Sequence, residues 1–226
     1  MRTPLTAIKG FVRTLLDDDE GYFNNQMRGE FLSIIDNECD RLKRLIEDLL
    51  NVSRIEQGKA LQMNWKQFEV GVVFERVVAT QRTQTERHTL ALDVAVNFPK
   101  VLADEDKLEQ ILHNLVQNAI KYSPRGGVIK VSTSFDAKSY TVAVTDSGVG
   151  IPKNMFTKIF ERFERVDNRD TREVGGAGIG LYLVRHLVEQ HEGHIWVESE
   201  TGQGSTFTFK IPIQPKKALD EIAKLH

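Results

Sequence analysis

The chain holds a single cysteine, Cys39, among its 226 residues. No internal disulfide can form, which fits a reducing compartment. No run approaches the roughly 18 apolar residues that suggest a membrane-spanning helix. The N-terminus, Met1-Arg2-Thr3-Pro4-Leu5, lacks the apolar core of a signal peptide. An excess of one charge is missing too. Thirty Lys and Arg face 32 Asp and Glu, a net charge of −2, so bulk electrostatics draws the chain neither to nucleic acid nor to an anionic membrane. Internal repeats and low-complexity tracts are absent. What remains is ordinary: 40% hydrophobic and 27% charged residues, as in a globular protein of one large domain or two small ones.

The chain changes grammar near residue 62. Residues 1–62 read as a pair of helices. In the second, Phe31, Ile34, Ile35, Leu42, Leu45, Ile46, Leu49 and Val52 recur at three- and four-residue steps. The first runs from about Pro4 to Asp18, and Gly21 with Asn24-Asn25 suits the connection. Two helices cannot bury a stripe this long alone. A four-helix bundle made by two chains is the economical solution, with a hairpin folded onto its own C-terminal domain as the alternative.

Residues 66–214 mix helices with mostly antiparallel strands. Helices are expected over Phe68–Gln81, Asp106–Tyr122 and Ala177–His191. Strands are expected over Thr89–Val96, Val101–Ala103, Val128–Phe135, Tyr140–Asp146, His194–Ser199 and Ser205–Pro212. The fold class is therefore α+β: a helical hairpin followed by a two-layer α/β sandwich. A Lys-rich tail, residues 215–226, is expected to be a short helix or frayed.

Three elements of the second region carry chemistry. Asn114 and Asn118 are four apart, so both project from one helix face about 6 Å apart along the axis. Lys121 and Tyr122 lie one turn further. An amide oxygen is a hard neutral ligand that can join phosphate oxygens around Mg²⁺; the lysine can meet phosphate, and the tyrosine ring can face a base. Asp146 ends an apolar strand and enters Ser147-Gly148-Val149-Gly150, where a carboxylate can accept a hydrogen bond from an amino group such as adenine N6. Gly148 and Gly150 let backbone approach a flat ring. Gly175, Gly176, Gly178 and Gly180, followed by Leu181, open an apolar helix whose N-terminus suits phosphate. No downstream ribose-binding acid in a parallel βαβ unit makes this a dinucleotide fingerprint, and no Gly-Lys-Ser/Thr makes it a Walker loop. Between the glycine clusters, residues 160–174 suit a charged lid, with Phe160 and Phe163 anchoring its stem and Arg165 as a phosphate contact.

These elements, in this order, resemble the catalytic core of bacterial sensor histidine kinases of two-component systems. Asn114–Tyr122 looks like the N box, Asp146–Gly150 the G1 box, Phe160–Phe163 the F box and Gly176–Gly180 the G2 box. Thr201-Gly-Gln-Gly-Ser-Thr206 resembles the last glycine motif, and the sandwich resembles the family's Bergerat-type ATP-binding fold. The resemblance implies ATP and Mg²⁺ as ligands, with Asn118 holding the metal and Asn114 and Lys121 near the phosphates. Tyr122 and Asp146 would contact adenine, and Thr206 belongs to the same pocket. The hairpin resembles the dimerisation and phosphoacceptor domain, which implies a homodimer and a response-regulator receiver domain as partner. Neither nucleic acid nor membrane contact is expected, and the setting is the cytoplasmic portion of a sensor.

The acceptor motif of the family usually reads His-Glu-Leu-Arg-Thr-Pro-Leu-Thr. Met1 aligns with its leucine, so the acceptor His is expected upstream of Met1. Thr3 matches the threonine used in dephosphorylating the regulator. The expected activity is an ATP:protein-histidine kinase, incomplete as it stands. The alternatives are a non-catalytic nucleotide-binding or dimerisation module and an ATP hydrolase of the same fold. The hydrolases use a glutamate base where this chain has Asn114, and an amide cannot take a proton from water.

Overall fold

The computed structural model describes residues 2–18, 21–59, 61–164 and 178–224. The chain divides into two compact units, Met1–Ala60 and Leu61–His226.

The first unit is a hairpin of α1 (Arg2–Leu16) and α2 (Asn25–Glu56). Pro4 falls in the first turn of α1, where a missing N–H costs nothing. Asn24 caps α2: its side chain accepts the Met27 N–H at 2.9 Å. Asp18 accepts the Tyr22 N–H at 2.6 Å and the Arg28 guanidinium at 2.7 Å, which folds the connection. Phe31 packs against Phe11 and Phe23, with ring centroids 5.4 and 5.1 Å apart. Outside this seam, Leu32, Cys39, Ile46 and Leu50 follow one another at seven-, seven- and four-residue steps and all are exposed. They form one uncovered stripe along α2.

The second unit contains two sheets. β1 (Trp65–Phe68) pairs antiparallel with β3 (Val101–Asp104). The main sheet has the order β2-β4-β5-β7-β6, built from β2 (His88–Asp93), β4 (Gly127–Phe135), β5 (Ser139–Asp146), β6 (His194–Glu200) and β7 (Gly204–Pro212). Its one parallel pair is β2 with β4, running from His88↔Gly127 to Asp93↔Ser132. Helices α3 (Val70–Arg82), α4 (Glu105–Lys121) and α5 (Gly180–Gln190) pack against the sheet. Alternate strand residues are wholly buried there, including Val131, Tyr140, Val142, Val144, Phe209 and Ile211. So are Phe74 of α3, Leu108 and Leu112 of α4, and Leu187 of α5. One layer of helices on one sheet is the expected two-layer sandwich.

Most boundaries fall within two residues of the sequence reading, and at three the difference has a local cause. Phe68 ends a strand, and α3 starts only at Val70; four residues, Trp-Lys-Gln-Phe, are too few to show a period. β2 stops at Asp93, short of Val96, and the chain turns through Asn97 at φ 58°, a left-handed conformation that asparagine tolerates. The described part of the third helix begins at Gly180 after a left-handed Gly178 at φ 69°; Ala177 lies outside the described residues.

The tail forms α6 (Lys216–Ala223). Glu192 accepts the Lys216 and Lys217 N–H groups at 2.7 and 3.0 Å, Ala218 is buried, and the Trp65 indole N–H donates to Glu221 at 2.8 Å. Beneath it lies His191, fully enclosed. Its Nδ1–H donates to Leu187 O at 2.7 Å, its Nε2 accepts the Asp104 N–H at 3.2 Å, and Trp65 meets it edge-on. Burial pulls the imidazole pKa down, so the ring is neutral. Asp104 in turn caps α4 by accepting the Lys107 N–H at 3.1 Å, and its other oxygen accepts the Asn64 N–H at 2.7 Å.

Candidate functional site

Helix α4 carries the first set of predicted residues. Its apolar side, Leu108, Ile111, Leu112, Leu115 and Val116, is buried. That fixes its roll and leaves Asn114, Asn118, Lys121 and Tyr122 half-buried. The Asn114 amide N–H donates to Gln110 O at 2.9 Å. Its oxygen is thereby turned toward the start of α5, where a Cβ placed on Gly180 would lie 3.0 Å from it. The Lys121 ammonium stands 4.8 Å from the Tyr122 ring centroid.

The second set converges on the end of β5. Asp146 is 7% exposed and its Oδ1 accepts the Gly148 N–H at 2.8 Å. Burial pushes its pKa up, while the Gly148 and Ser205 N–H groups and the Ser123 hydroxyl pull it back. The Tyr122 carbonyl accepts the Val149 N–H at 3.0 Å, which ties the end of α4 to the loop after Asp146. This contact explains Gly148: a Cβ there would sit 2.2 Å from Tyr122 O and 2.7 Å from Ser123 Oγ. Gly150, at φ 68°, would place a Cβ 2.1 Å from Glu200 O. Both glycines thus let backbone approach backbone. The Ser199 hydroxyl completes the loop, accepting the Ile151 N–H at 2.8 Å and donating to Gly204 O at 2.7 Å.

Two predicted residues are corrected. Thr206 pairs with Thr145, and their hydroxyls lie 3.0 Å apart. Successive strand side chains point to opposite faces, so Thr206 lies on the face of the sheet away from Asp146. Ser205, paired with Asp146 and buried, is the residue of that motif on the site's side. Phe160 is buried and meets Phe207 edge-on at 6.3 Å, but Phe163 is 61% exposed with φ 65° and does not anchor the stem in the core. Its ring instead lies under Arg162, with the guanidinium carbon 4.9 Å from the centroid. Arg165, Gly175 and Gly176 lie outside the described residues. Gly178 accepts the Phe163 N–H at 2.9 Å, Gly180 opens α5, and Leu181 is half-buried in its first turn.

Among the described residues no cluster of three or more His, Cys, Asp or Glu could hold a metal ion. A divalent cation at this site would rely on amide oxygens, and phosphate would supply the negative charge. The neutral donors on α4 suit that arrangement.

Residues 103–215 match the family described as histidine kinase-, DNA gyrase B- and HSP90-like ATPase. Residues 1–58 match the His Kinase A (phospho-acceptor) domain. The chain belongs to the sensor histidine kinase family. This kinase core is 33% identical to the sensor histidine kinase WalK of Bacillus subtilis over 97% of its length, and spans 36% of WalK. Among solved structures it is similar to full-length ShkA in complex with AMPPNP, with a TM-score of 0.65, 29% identity, and coverage of 93% of this chain and 43% of that one. It is also similar to the histidine kinase ThkA in complex with the response regulator TrrA, with a TM-score of 0.63, 26% identity, and coverage of 96% and 59%. The ATPase-family match covers α4, Asp146 and α5 together, and so includes every described residue of the candidate site.

Proposed function

We propose that this kinase core binds Mg·ATP between α4, the 146–151 loop and the start of α5. In this reading it passes the γ-phosphoryl group to a histidine of a two-component system, and from there to an aspartate of a response-regulator receiver domain. The observation that carries the reading is the tie between Tyr122 O and Val149 N–H. It brings the base-facing end of α4 beside a buried carboxylate, while Asn114, Asn118 and Lys121 follow along the same helix. Asp146 would accept the adenine amino group, Tyr122 would face the ring, and Lys121 and Asn114 would meet phosphate. Asn118 would hold Mg²⁺, which when bound neutralises phosphate charge. The N-terminus of α5, with Gly178, Gly180 and Leu181, would present backbone N–H groups to the phosphates. The remaining work is positioning.

The ShkA structure contains AMPPNP and the ThkA structure a response regulator; both support the proposed ligand and partner here. The stripe Leu32–Cys39–Ile46–Leu50 supports a homodimer formed through the hairpin. Residues 1–58 contain no histidine, so we assign the acceptor imidazole to none of them. His191 is enclosed, and His88, His113 and His186 are engaged with neighbours. Incubated with labelled ATP, the chain is expected to bind nucleotide without labelling itself. Acid-labile phosphate on the purified chain would contradict that. Thr3, in the first turn of α1, would serve in dephosphorylation of the regulator. Hydrolysis of ATP is disfavoured because the Asn114 amide cannot act as a base.

Calorimetry tests the site. Asn118→Ala is expected to remove the Mg²⁺-dependent part of ATP affinity, a loss of more than about tenfold for a charged-ligand contact. Unchanged Mg²⁺-dependent binding would withdraw the assignment.

A further inference from the structure

His88 opens the edge strand β2, far in sequence from every residue assigned above. Both its ring nitrogens are engaged. Nδ1 lies 2.7 Å from Thr85 Oγ1, and Nε2 lies 2.9 Å from the Ser123 carbonyl oxygen. A carbonyl can only accept, so Nε2 carries the proton. In the neutral ring the Thr85 hydroxyl then donates to Nδ1. Thr85 sets the ring's orientation from the turn after α3, and the ring reaches across to the turn after α4.

That second turn is clamped at several points. Ser123 O also accepts the Gly126 N–H at 2.9 Å, closing the turn Ser123-Pro124-Arg125-Gly126. The Gly127 N–H donates to Arg87 O at 3.2 Å. Gly126, at φ 75°, lies so close to this strand that a Cβ would come within 2.2 Å of Arg87 O. The segment 85–88 and the segment 123–127 are therefore one joined element, and His88 is its side-chain tie.

The clamped turn starts where the base-facing residues end. Ser123 is 2% exposed and follows Tyr122 directly. A Cβ built on Gly148 would meet Ser123 Oγ at 2.7 Å and Asp146 Oδ1 at 2.8 Å, so these two side chains flank one point. The Tyr122 carbonyl bonds to Val149. The position of Ser123 thus sets the spacing between the Tyr122 ring and the Asp146 carboxylate. Asn114, Asn118 and Lys121 depend instead on α4, which the core holds.

We propose that His88 is a positioning residue for the base end of the nucleotide site: by donating its Nε2–H to Ser123 O it holds the Tyr122–Ser123 turn against the Asp146–Val149 loop. This rests on the nucleotide reading given above. It predicts that loss of His88 weakens adenine recognition and leaves phosphate contacts alone.

The test compares ADP and GDP binding by calorimetry for the whole chain, His88→Leu, His88→Gln and Thr85→Val. His88→Leu removes the donor and is expected to weaken ADP about fivefold, the size of one lost hydrogen bond. GDP should weaken less, so the preference for adenine narrows. The Gln amide restores a donor at the Nε2 position and should keep ADP affinity within about twofold of the parent. Thr85→Val frees the ring without removing it, and gives a smaller loss with the same narrowing; it also serves if His88→Leu does not fold. ADP bound equally by parent and His88→Leu, equal losses for Leu and Gln, or an unmoved ADP-to-GDP ratio would each overturn the proposal. A parent chain that binds no ADP would sink the nucleotide reading first, and is measured before any variant.

Discussion

In the C-terminal unit Leu112, Val142 and Phe209 are wholly enclosed between helix and sheet, whereas in the hairpin Leu16, Leu32 and Leu50 stand 71%, 57% and 56% exposed. Both units are amphipathic by sequence. The difference lies in what each stripe can find within its own chain. A sheet offers α3, α4 and α5 a broad apolar face. A two-helix hairpin offers each helix one seam, and an apolar stripe of three or four positions per two turns is wider than a single seam covers. The sandwich encloses its apolar face; the hairpin leaves the outer stripe of α2 exposed.

The comparison would break most visibly at the stripe on α2. Ile46→Asp with Leu50→Asp is expected to convert a dimer to a monomer at micromolar concentration, read by light scattering, with ADP affinity unchanged. A parent chain that is already monomeric would remove the contrast. Next in size is the cost of truncating buried against exposed leucine. Leu112→Ala should destabilise the C-terminal unit by about 3 kcal/mol, and Leu16→Ala by less than about 0.5 kcal/mol in the monomeric background, both from urea melts. Comparable costs would mean that Leu16 is covered.

Smaller effects come from two buried titratable groups of the sandwich. His191 has its pKa lowered by burial, so the unfolded chain binds the proton more readily. Stability is therefore lost as pH falls from about 6.5, the ordinary imidazole value, through the lower folded one. The loss between pH 7 and 5 should be steeper in the parent than in His191→Gln. Asp146 is raised by burial, so the folded state binds the proton more readily. Its contribution is present at low pH and fades as pH rises from about 4 through the raised value. The stability difference between Asp146→Asn and the parent should move in favour of Asn over that rise, while ADP affinity falls. The proposed adenine contact would then be held at the expense of the empty fold.

Much of this was legible in the letters. The spacing of Asn114 and Asn118 needs only the helix period, and Asp146 needs only the end of an apolar run. The segment Trp65–Phe68 was not legible, because its pairing with Val101–Asp104 depends on residues 33 to 39 positions apart. Ser205 and Thr206 show most clearly where pattern stops. Both stand in the last glycine motif, and only the register Asp146↔Ser205 says which one shares the site's face; a slip of one residue would exchange them. Phe163 misled because an aromatic flanking a lid reads as an anchor, whereas its ring is exposed beneath Arg162. His88 gave no signal at all, being 35 positions from its partner Ser123.

The edge-on contact of Trp65 with His191, together with the indole bond to Glu221, gives the chain an optical reporter. Only one other tryptophan, Trp196, contributes to its emission. Undocking the C-terminal helix would release the indole N–H into water and shift that light to the red. The attachment of the last helix can thus be followed on unlabelled protein, in real time, as nucleotide is added.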